Sequence, residues 1–125
     1  MPETDEMSHA SPNTKAGLWW LVQAGSGLLL LVLLGLHMIA NHFVVPGGLQ
    51  TYADVVRYLS NPFIVILEMT FLVAVTGHAV LGVRAILLDL GLSQRAGRNV
   101  SLALGALGVL AIVYGAWLTS RVIGG

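Results

Sequence analysis

The chain has 125 residues, of which 56% are hydrophobic and only 10% charged, with a mean hydropathy of +0.83 and a formal net charge of zero. Since soluble domains carry about 25% charged residues, the composition excludes a water-soluble domain. The lack of cysteine excludes thiolate-held iron–sulfur clusters and disulfides. The balanced charge provides no basic surface of the kind that binds nucleic acid. These features predict an integral membrane protein: a subunit of a larger complex, or a very small transport or anchoring unit.

The N-terminal part of the chain predicts a tail, a first span and a surface helix. Residues 1–16 are polar and acid-rich, which opposes a secretory signal and predicts an aqueous tail. A first transmembrane helix is predicted over residues 17–45, before Pro46. The connector 49–61 predicts a short amphipathic helix on the membrane surface, with an apolar face formed by Tyr52, Val55, Val56 and Leu59.

Two further spans complete an all-α fold of three transmembrane helices. Asn61-Pro62 opens the second, over residues 62–90, because proline is favoured at the first helical position. The third covers residues 99–121, and we expect 17–125 to form one anchor domain within a multi-helix bundle. Small residues at three- and four-residue steps predict close helix packing; they are Gly105, Gly108, Ala111 and Gly115.

The basic residues predict the orientation of the chain. Four fall on the side of the amino terminus, namely Lys15, Arg84, Arg95 and Arg98, and two on the other side, namely Arg57 and Arg121. Because lysine and arginine concentrate in cytoplasmic loops, the amino terminus is predicted to be cytoplasmic.

Ionisable residues inside a membrane mark functional sites by default. Around His78 the helix face is small, with Ala74 one turn before and Gly82 one turn after. Such a strip would let a flat porphyrin lie close to the helix while the imidazole reaches iron. The same pattern also suits a histidine that bridges two helices by a hydrogen bond.

The other polar residues of the spans lie towards the far side of the membrane. His37 stands near the end of the first span, and His42 follows it as an expected solvated residue at the interface. Glu68, near the start of the second span, is interpreted as a residue that caps the connector backbone, with proton relay as the alternative. The tail residue His9 carries no expected membrane chemistry.

Depth argues against one haem shared by His37 and His78. His37 lies 20 residues from Gly17, about 30 Å at 1.5 Å per residue, and His78 lies 11 residues from Asp89, about 17 Å. Two axial nitrogens of one iron would be only about 4 Å apart, for metal–imidazole bonds of about 2 Å. If both histidines are ligands, each needs a partner histidine from another chain, which predicts two haems.

The stretch GHAVLGVRAILLDLG (77–91) resembles the second-helix signature of the membrane anchors of succinate dehydrogenase and fumarate reductase. That signature is matched by His78, Gly82, Arg84, Asp89 and Gly91. HMIANHF, at the end of the first span, and the segment before the motif resemble the anchors of this family that contain haem b. The resemblance covers about residues 35–91 and the three-span layout.

The resemblance implies a noncatalytic subunit that sits in a bacterial or archaeal cell membrane. It implies a second anchor subunit, a flavoprotein and an iron–sulfur protein as partners, and electrons that pass to membrane quinone. His78 and His37 match the proximal and distal haem ligands, and Arg84 would face a haem propionate or a lipid phosphate. Quinone-site candidates are Trp20, Gln23, Ser26 and Asp89.

Two other functions remain open from the residues alone. One is a small proton-coupled transporter subunit with Glu68 as its site, although transport sites usually lie near the midplane. The other is a haem-free scaffold that only anchors soluble partners. Succinate oxidation and fumarate reduction are equally compatible with the same electron path.

Overall fold

The computed structural model describes residues 14–125, so His9 and the predicted tail up to residue 13 lie outside the described part of the chain. Within it, the elements are four helices: α1 (Thr14–Phe43), α2 (Tyr52–Leu59), α3 (Pro62–Asp89) and α4 (Gln94–Gly124). Three of them, with 30, 28 and 31 residues, are long and apolar enough to cross a membrane. The predicted all-α fold with three spans and a short connector helix is confirmed.

The helix ends differ from the predicted ones at the polar turns. α1 begins at Thr14 and ends at Phe43, and α4 begins at Gln94, five residues earlier than predicted. The early start follows from Ser93, whose hydroxyl accepts a hydrogen bond from the amide of Ala96 and so caps the first turn. Hydropathy alone misses this turn because its arginines lie beyond the apolar part of the helix.

Local chemistry also sets the start of α2 and α3. At α2, Thr51 and Asp54 form a reciprocal capping box, and this hydrogen bonding holds the pKa of Asp54 below its usual value. At α3, the Asn61 side chain accepts from the amide of Phe63, with Pro62 in the first turn as predicted. The chain leaves α3 through Gly91, whose φ of 76° suits glycine.

α3 packs against both α1 and α4. Ser26 meets His78 and His37 meets Glu68, so α1 and α3 run antiparallel. The residues buried between elements cluster at the far end of the bundle, where α1 ends, α2 lies and α3 begins; they are Ala40, Val45, Tyr58 and Ile64. Most large apolar side chains of the described helices are exposed, which leaves them to contact lipid or partner subunits.

The predicted small-residue stripe of α4 packs on α3. A Cβ atom built on Gly108 would lie 3.0 Å from Val80 Cγ2 and 3.4 Å from Thr76 Cγ2, and one on Gly115 would lie 2.5 Å from Leu72 Cδ2. Gly105, on the same helix, has no such neighbour within 4 Å among the described residues. Two of the small residues therefore permit close contact of α3 and α4.

Replacing Gly108 by leucine is expected to destabilise the chain by about 1–3 kcal/mol, because β-branched Val80 and Thr76 cannot move aside easily. Gly105→Leu is the matched control, since its side chain enters open space. Both are measured as SDS-driven unfolding of the full chain in mixed micelles, followed by circular dichroism. Equal destabilisation by the two variants would contradict the packing described.

Candidate functional site

The polar side chains between α1 and α3 form two groups at separate levels. The His78 cluster consists of Gln23, Ser26 and His78, and the His37 cluster consists of His37, Asn41, Tyr58 and Glu68. His78 and Glu68 are ten positions apart on α3, or about 15 Å at 1.5 Å per residue. No single metal ion could therefore be ligated by both histidines of one chain.

In the His78 cluster, a serine fixes the imidazole. Ser26 Oγ lies 2.8 Å from His78 Nδ1 and 2.8 Å from the backbone oxygen of Gln23. The ring also packs closely on α1, because a Cβ atom on Gly27 would lie 3.3 Å from His78 Cε1. The imidazole is thus held on one edge by a hydrogen bond and on another by close backbone approach.

This geometry determines which nitrogen of His78 carries the proton. A carbonyl oxygen only accepts, so the single hydroxyl proton of Ser26 goes to the Gln23 carbonyl. Ser26 Oγ must then accept from His78, which places the proton on Nδ1. Within residues 14–125 the Nε2 atom has no hydrogen-bond partner, so its lone pair is available to a metal.

In the His37 cluster, Glu68 lies at the centre. Both of its carboxylate oxygens are 2.8 Å from His37 Nδ1, and the Tyr58 hydroxyl donates a hydrogen bond to Oε1. The Glu68 side chain is 16% exposed and that of His37 32%, and the Phe71 ring centroid is 5.1 Å from that of His37. The carboxylate thus joins α3 to both α1 and α2.

The donors and acceptors of this cluster form a consistent chain. Asn41 Nδ2 donates to the His37 carbonyl at 2.7 Å and to the Tyr58 hydroxyl at 3.3 Å, and that hydroxyl donates onward to Glu68. An ionised carboxylate only accepts, so His37 donates to Glu68 from Nδ1. The two hydrogens of the Asn41 amide are thereby used, so the contacts of Asn41 Nδ2 with His37 Nδ1 and Nε2, at 3.2 and 3.3 Å, leave the Nε2 lone pair without a donor of its own.

A cavity of about 220 Å³ opens beside the His78 cluster and is lined by Trp19, Trp20, Gln23, Leu81, Arg84 and Ala85. Gln23 contributes to the lining, but its Oε1 atom is itself buried and has no hydrogen-bond partner among the described residues, while Nε2 lies 3.5 Å from the His78 carbonyl. Arg84 donates from Nε to Ser101 Oγ at 2.7 Å, which ties it to α4. The cavity thus combines aromatic walls with a cation and with a glutamine whose acceptor atom is buried behind the lining.

The structure brings together some predicted site residues and separates others. Trp20, Gln23 and Arg84 share the cavity, whereas Ser26 is bonded to His78 and Asp89 lies exposed at the end of α3, outside the cavity lining. The glycine beside His78 lies against α1: a Cβ on Gly82 would be 3.1 Å from Gln23 Nε2. Gly82 therefore serves close packing of α1 on α3.

At the far end, one interpretation was wrong and one was incomplete. Glu68 does not cap the connector backbone, because its partners are the side chains of His37 and Tyr58. On α2 the residue that faces inwards is Tyr58, 3% exposed, while Tyr52 is 68% exposed. The predicted amphipathic helix forms, and Leu59 of its apolar face packs against the buried cluster. Tyr58 lies off that face, and the hydrogen bonds of its hydroxyl with Asn41 and Glu68 account for a phenol at this buried position.

Comparison with known proteins identifies the family. The family described as succinate dehydrogenase/fumarate reductase transmembrane subunit matches residues 6–115. Two relatives are each named succinate dehydrogenase hydrophobic membrane anchor subunit. The one from Thermoplasma acidophilum is 32% identical over 92% of this chain and 89% of its own length. The one from Archaeoglobus fulgidus is 37% identical over 81% of this chain and 86% of its own length.

No solved structure matches the chain. The family match covers most of the sequence, and the relatives align with nearly their whole length. The three apolar helices agree with a multi-pass membrane subunit. The chain therefore belongs to the succinate dehydrogenase/fumarate reductase transmembrane subunit family.

Proposed function

We propose that this membrane anchor binds haem b through His78 and His37, each together with a histidine of a second anchor subunit. The observation that carries the proposal is the state of the two imidazoles. Both have Nδ1 bound by a fixed acceptor, Ser26 or Glu68, which leaves the Nε2 lone pair for iron. Family membership favours this role over that of a transporter subunit.

Two haems follow from the spacing of the clusters. The levels of His78 and His37 are about 15 Å apart, whereas the two axial nitrogens of one iron are about 4 Å apart. Each histidine would therefore hold a haem at its own level, with a histidine of the partner anchor as the second ligand. Haem, when bound, supplies a one-electron couple inside the membrane.

The residues around His78 orient its ring and provide charge nearby. Ser26 fixes the tautomer, and Gly27 lets the backbone of α1 approach the ring. Arg84, positioned by Ser101, lies at the same end of α3 and would donate charge-assisted hydrogen bonds to a propionate. A lipid phosphate offers the same chemistry to Arg84.

The cavity beside the His78 cluster is proposed as part of the quinone site. The rings of Trp19 and Trp20 provide apolar walls, and a rotation of the Gln23 side chain would bring its unpaired Oε1 into the cavity to accept a hydrogen bond from the hydroxyl of a reduced quinone. An unpaired buried acceptor is costly, so a ligand hydroxyl would offset that cost. The volume of about 220 Å³ suits a ring rather than a whole isoprenoid quinone, which leaves further walls to the partner subunit.

The proposal includes the orientation of the complex. The end of the bundle that carries Lys15, Arg84, Arg95 and Arg98 is the more basic one and would face the cytoplasm. An iron–sulfur subunit and a flavoprotein would bind at that face, so that electrons reach the His78 level first. The relatives come from archaea, which favours a cell-membrane location.

The test is purification of the native complex through a tag on this chain, followed by visible spectroscopy. We expect flavin and iron–sulfur centres to co-purify, and a b-type haem band that succinate reduces. A complex with flavin and iron–sulfur centres but without haem would establish the haem-free scaffold and overturn the haem proposal.

For the quinone site, Gln23→Leu is expected to raise the KM for quinone by about tenfold, since one hydrogen bond is worth about 1.5 kcal/mol. The haem spectrum should not change, because the Gln23 side chain meets the backbone oxygen of His78 rather than its imidazole, and the Gln23 carbonyl that accepts from Ser26 is retained. Gln50→Leu is the control, since that glutamine lies exposed in the far connector. Steady-state kinetics with a short-chain quinone measure the effect, and an unchanged KM in Gln23→Leu would exclude Gln23 from the site.

A further inference from the structure

The two candidate ligands differ in the group that holds Nδ1. His78 meets the neutral hydroxyl of Ser26, whereas His37 meets both oxygens of the Glu68 carboxylate at 2.8 Å. Glu68, on α3, is 16% exposed, and its carboxylate contacts side chains of α1 and α2. A carboxylate in such surroundings interacts more strongly with its partner than it would in water.

A carboxylate that accepts the Nδ1 proton changes the ligand itself. It raises the basicity of the imidazole, because negative charge is drawn towards Nε2 as the N–H bond is polarised. A more basic axial ligand stabilises the oxidised, more positive iron relative to the reduced one. The reduction potential of that iron is then lowered.

We propose that Glu68 and Tyr58 are positioning residues for His37, which fix its tautomer and set the reduction potential of the haem that it ligates. The inference rests on the proposed function, since it requires haem at His37. It assigns a role to the connector helix α2, which contributes Tyr58 to the site from outside the membrane spans.

Tyr58 holds the Glu68 carboxylate in place and also weakens its interaction with His37. Burial, followed by the hydrogen bond to Glu68, raises the pKa of Tyr58 well above its ordinary value, so the hydroxyl stays protonated and acts as a donor. The hydrogen bond that it donates withdraws part of the negative charge of Glu68 from His37. Removing the carboxylate and removing the hydroxyl should therefore act in opposite directions.

The primary variant is Glu68→Gln in the intact complex, examined by redox titration and by the EPR spectrum of the low-spin haems. Glutamine keeps the shape and one acceptor oxygen and removes the charge. We expect the midpoint of one haem to rise while the other stays fixed. Loss of a group that hydrogen-bonds a metal ligand changes metal affinity by about 10–100-fold. A change of similar size in the redox equilibrium, about tenfold or about 59 mV for one electron, is expected here.

Tyr58→Phe is the second variant and keeps the buried ring. We expect the midpoint of the same haem to fall, because the full charge of Glu68 then acts on His37. In the Glu68→Gln background the tyrosine substitution should have no further effect, since its influence passes through the carboxylate. Arg57→Gln is the control, because it changes the charge of α2 by one unit at an exposed position and leaves the capping box of that helix intact.

The outcomes separate this inference from the haem proposal. Unchanged midpoints in Glu68→Gln, or shifts of the same sign in Glu68→Gln and Tyr58→Phe, would overturn the role of Glu68 and Tyr58. If Glu68→Gln does not assemble, the sign of the shift in Tyr58→Phe decides the question alone. The His37→Asn variant, which removes the ligand itself, reports on the haem proposal: loss of one haem there with no shift in Glu68→Gln would contradict only the present inference.

Discussion

Replacement of His78 by asparagine is expected to remove one of two b haems from the assembled complex. The asparagine amide can occupy the place of Nδ1–H and donate to Ser26 Oγ, so the contact between α1 and α3 is preserved. It provides no nitrogen lone pair at the position of Nε2, and so it cannot ligate iron. The variant thereby separates ligation from helix packing.

The haem content of this variant is measured by pyridine haemochromogen relative to flavin, which reports assembly independently. We expect one haem per complex and loss of one of two low-spin EPR signals. His42→Asn serves as the control, because His42 is exposed in the last turn of α1 and its ring rests on Phe43. Full haem content in His78→Asn would exclude His78 as a ligand.

Replacement of His37 by asparagine is expected to remove the other haem and to leave the haem at His78 in place. Alanine would be a poor choice here, because it would leave the Glu68 carboxylate with Tyr58 as its one hydrogen-bond donor among the described residues. Asparagine still donates to Glu68 from near the Nδ1 position. The two levels are about 15 Å apart. Each variant should therefore affect only its own haem.

The same haem assay and EPR spectra test this variant, and the signal lost should differ from the one lost in His78→Asn. The double variant should contain no haem b while the flavin still co-purifies. Loss of both haems in either single variant would indicate that the two sites are not independent. Full haem content in His37→Asn would exclude His37 as a haem ligand.

The spans and their order could be predicted because they depend on local patterns. Long charge-free stretches indicate the membrane helices, and Asn61-Pro62 and Gly91 mark the ends of α3. Hydropathy could not predict where α4 begins, because the turn that starts at Gln94 is polar and depends on the Ser93 cap. The amphipathic connector helix was predicted, but the burial of Tyr58 was not, because a phenol buried for its hydrogen bonds does not follow the apolar pattern.

The candidate ligands could also be found in the sequence, since a histidine within an apolar span is costly and therefore conspicuous. The side chains that hydrogen-bond these histidines could not be found in the sequence. Ser26 and His78 are 52 positions apart, and His37 and Glu68 are 31 apart. These pairs depend on the register between α1 and α3, which packing between the helices sets. The tautomers, which carry the functional argument, follow only from that register.

The most direct measurement is the number of b haems per copy of this chain in the purified native complex. Haem is determined as pyridine haemochromogen, and the chain by quantitative amino-acid analysis after separation of the subunits. Two haems per chain, both low-spin with two nitrogen ligands, are the expected result. One haem or none would contradict the account in which His78 and His37 each hold a haem at a separate level.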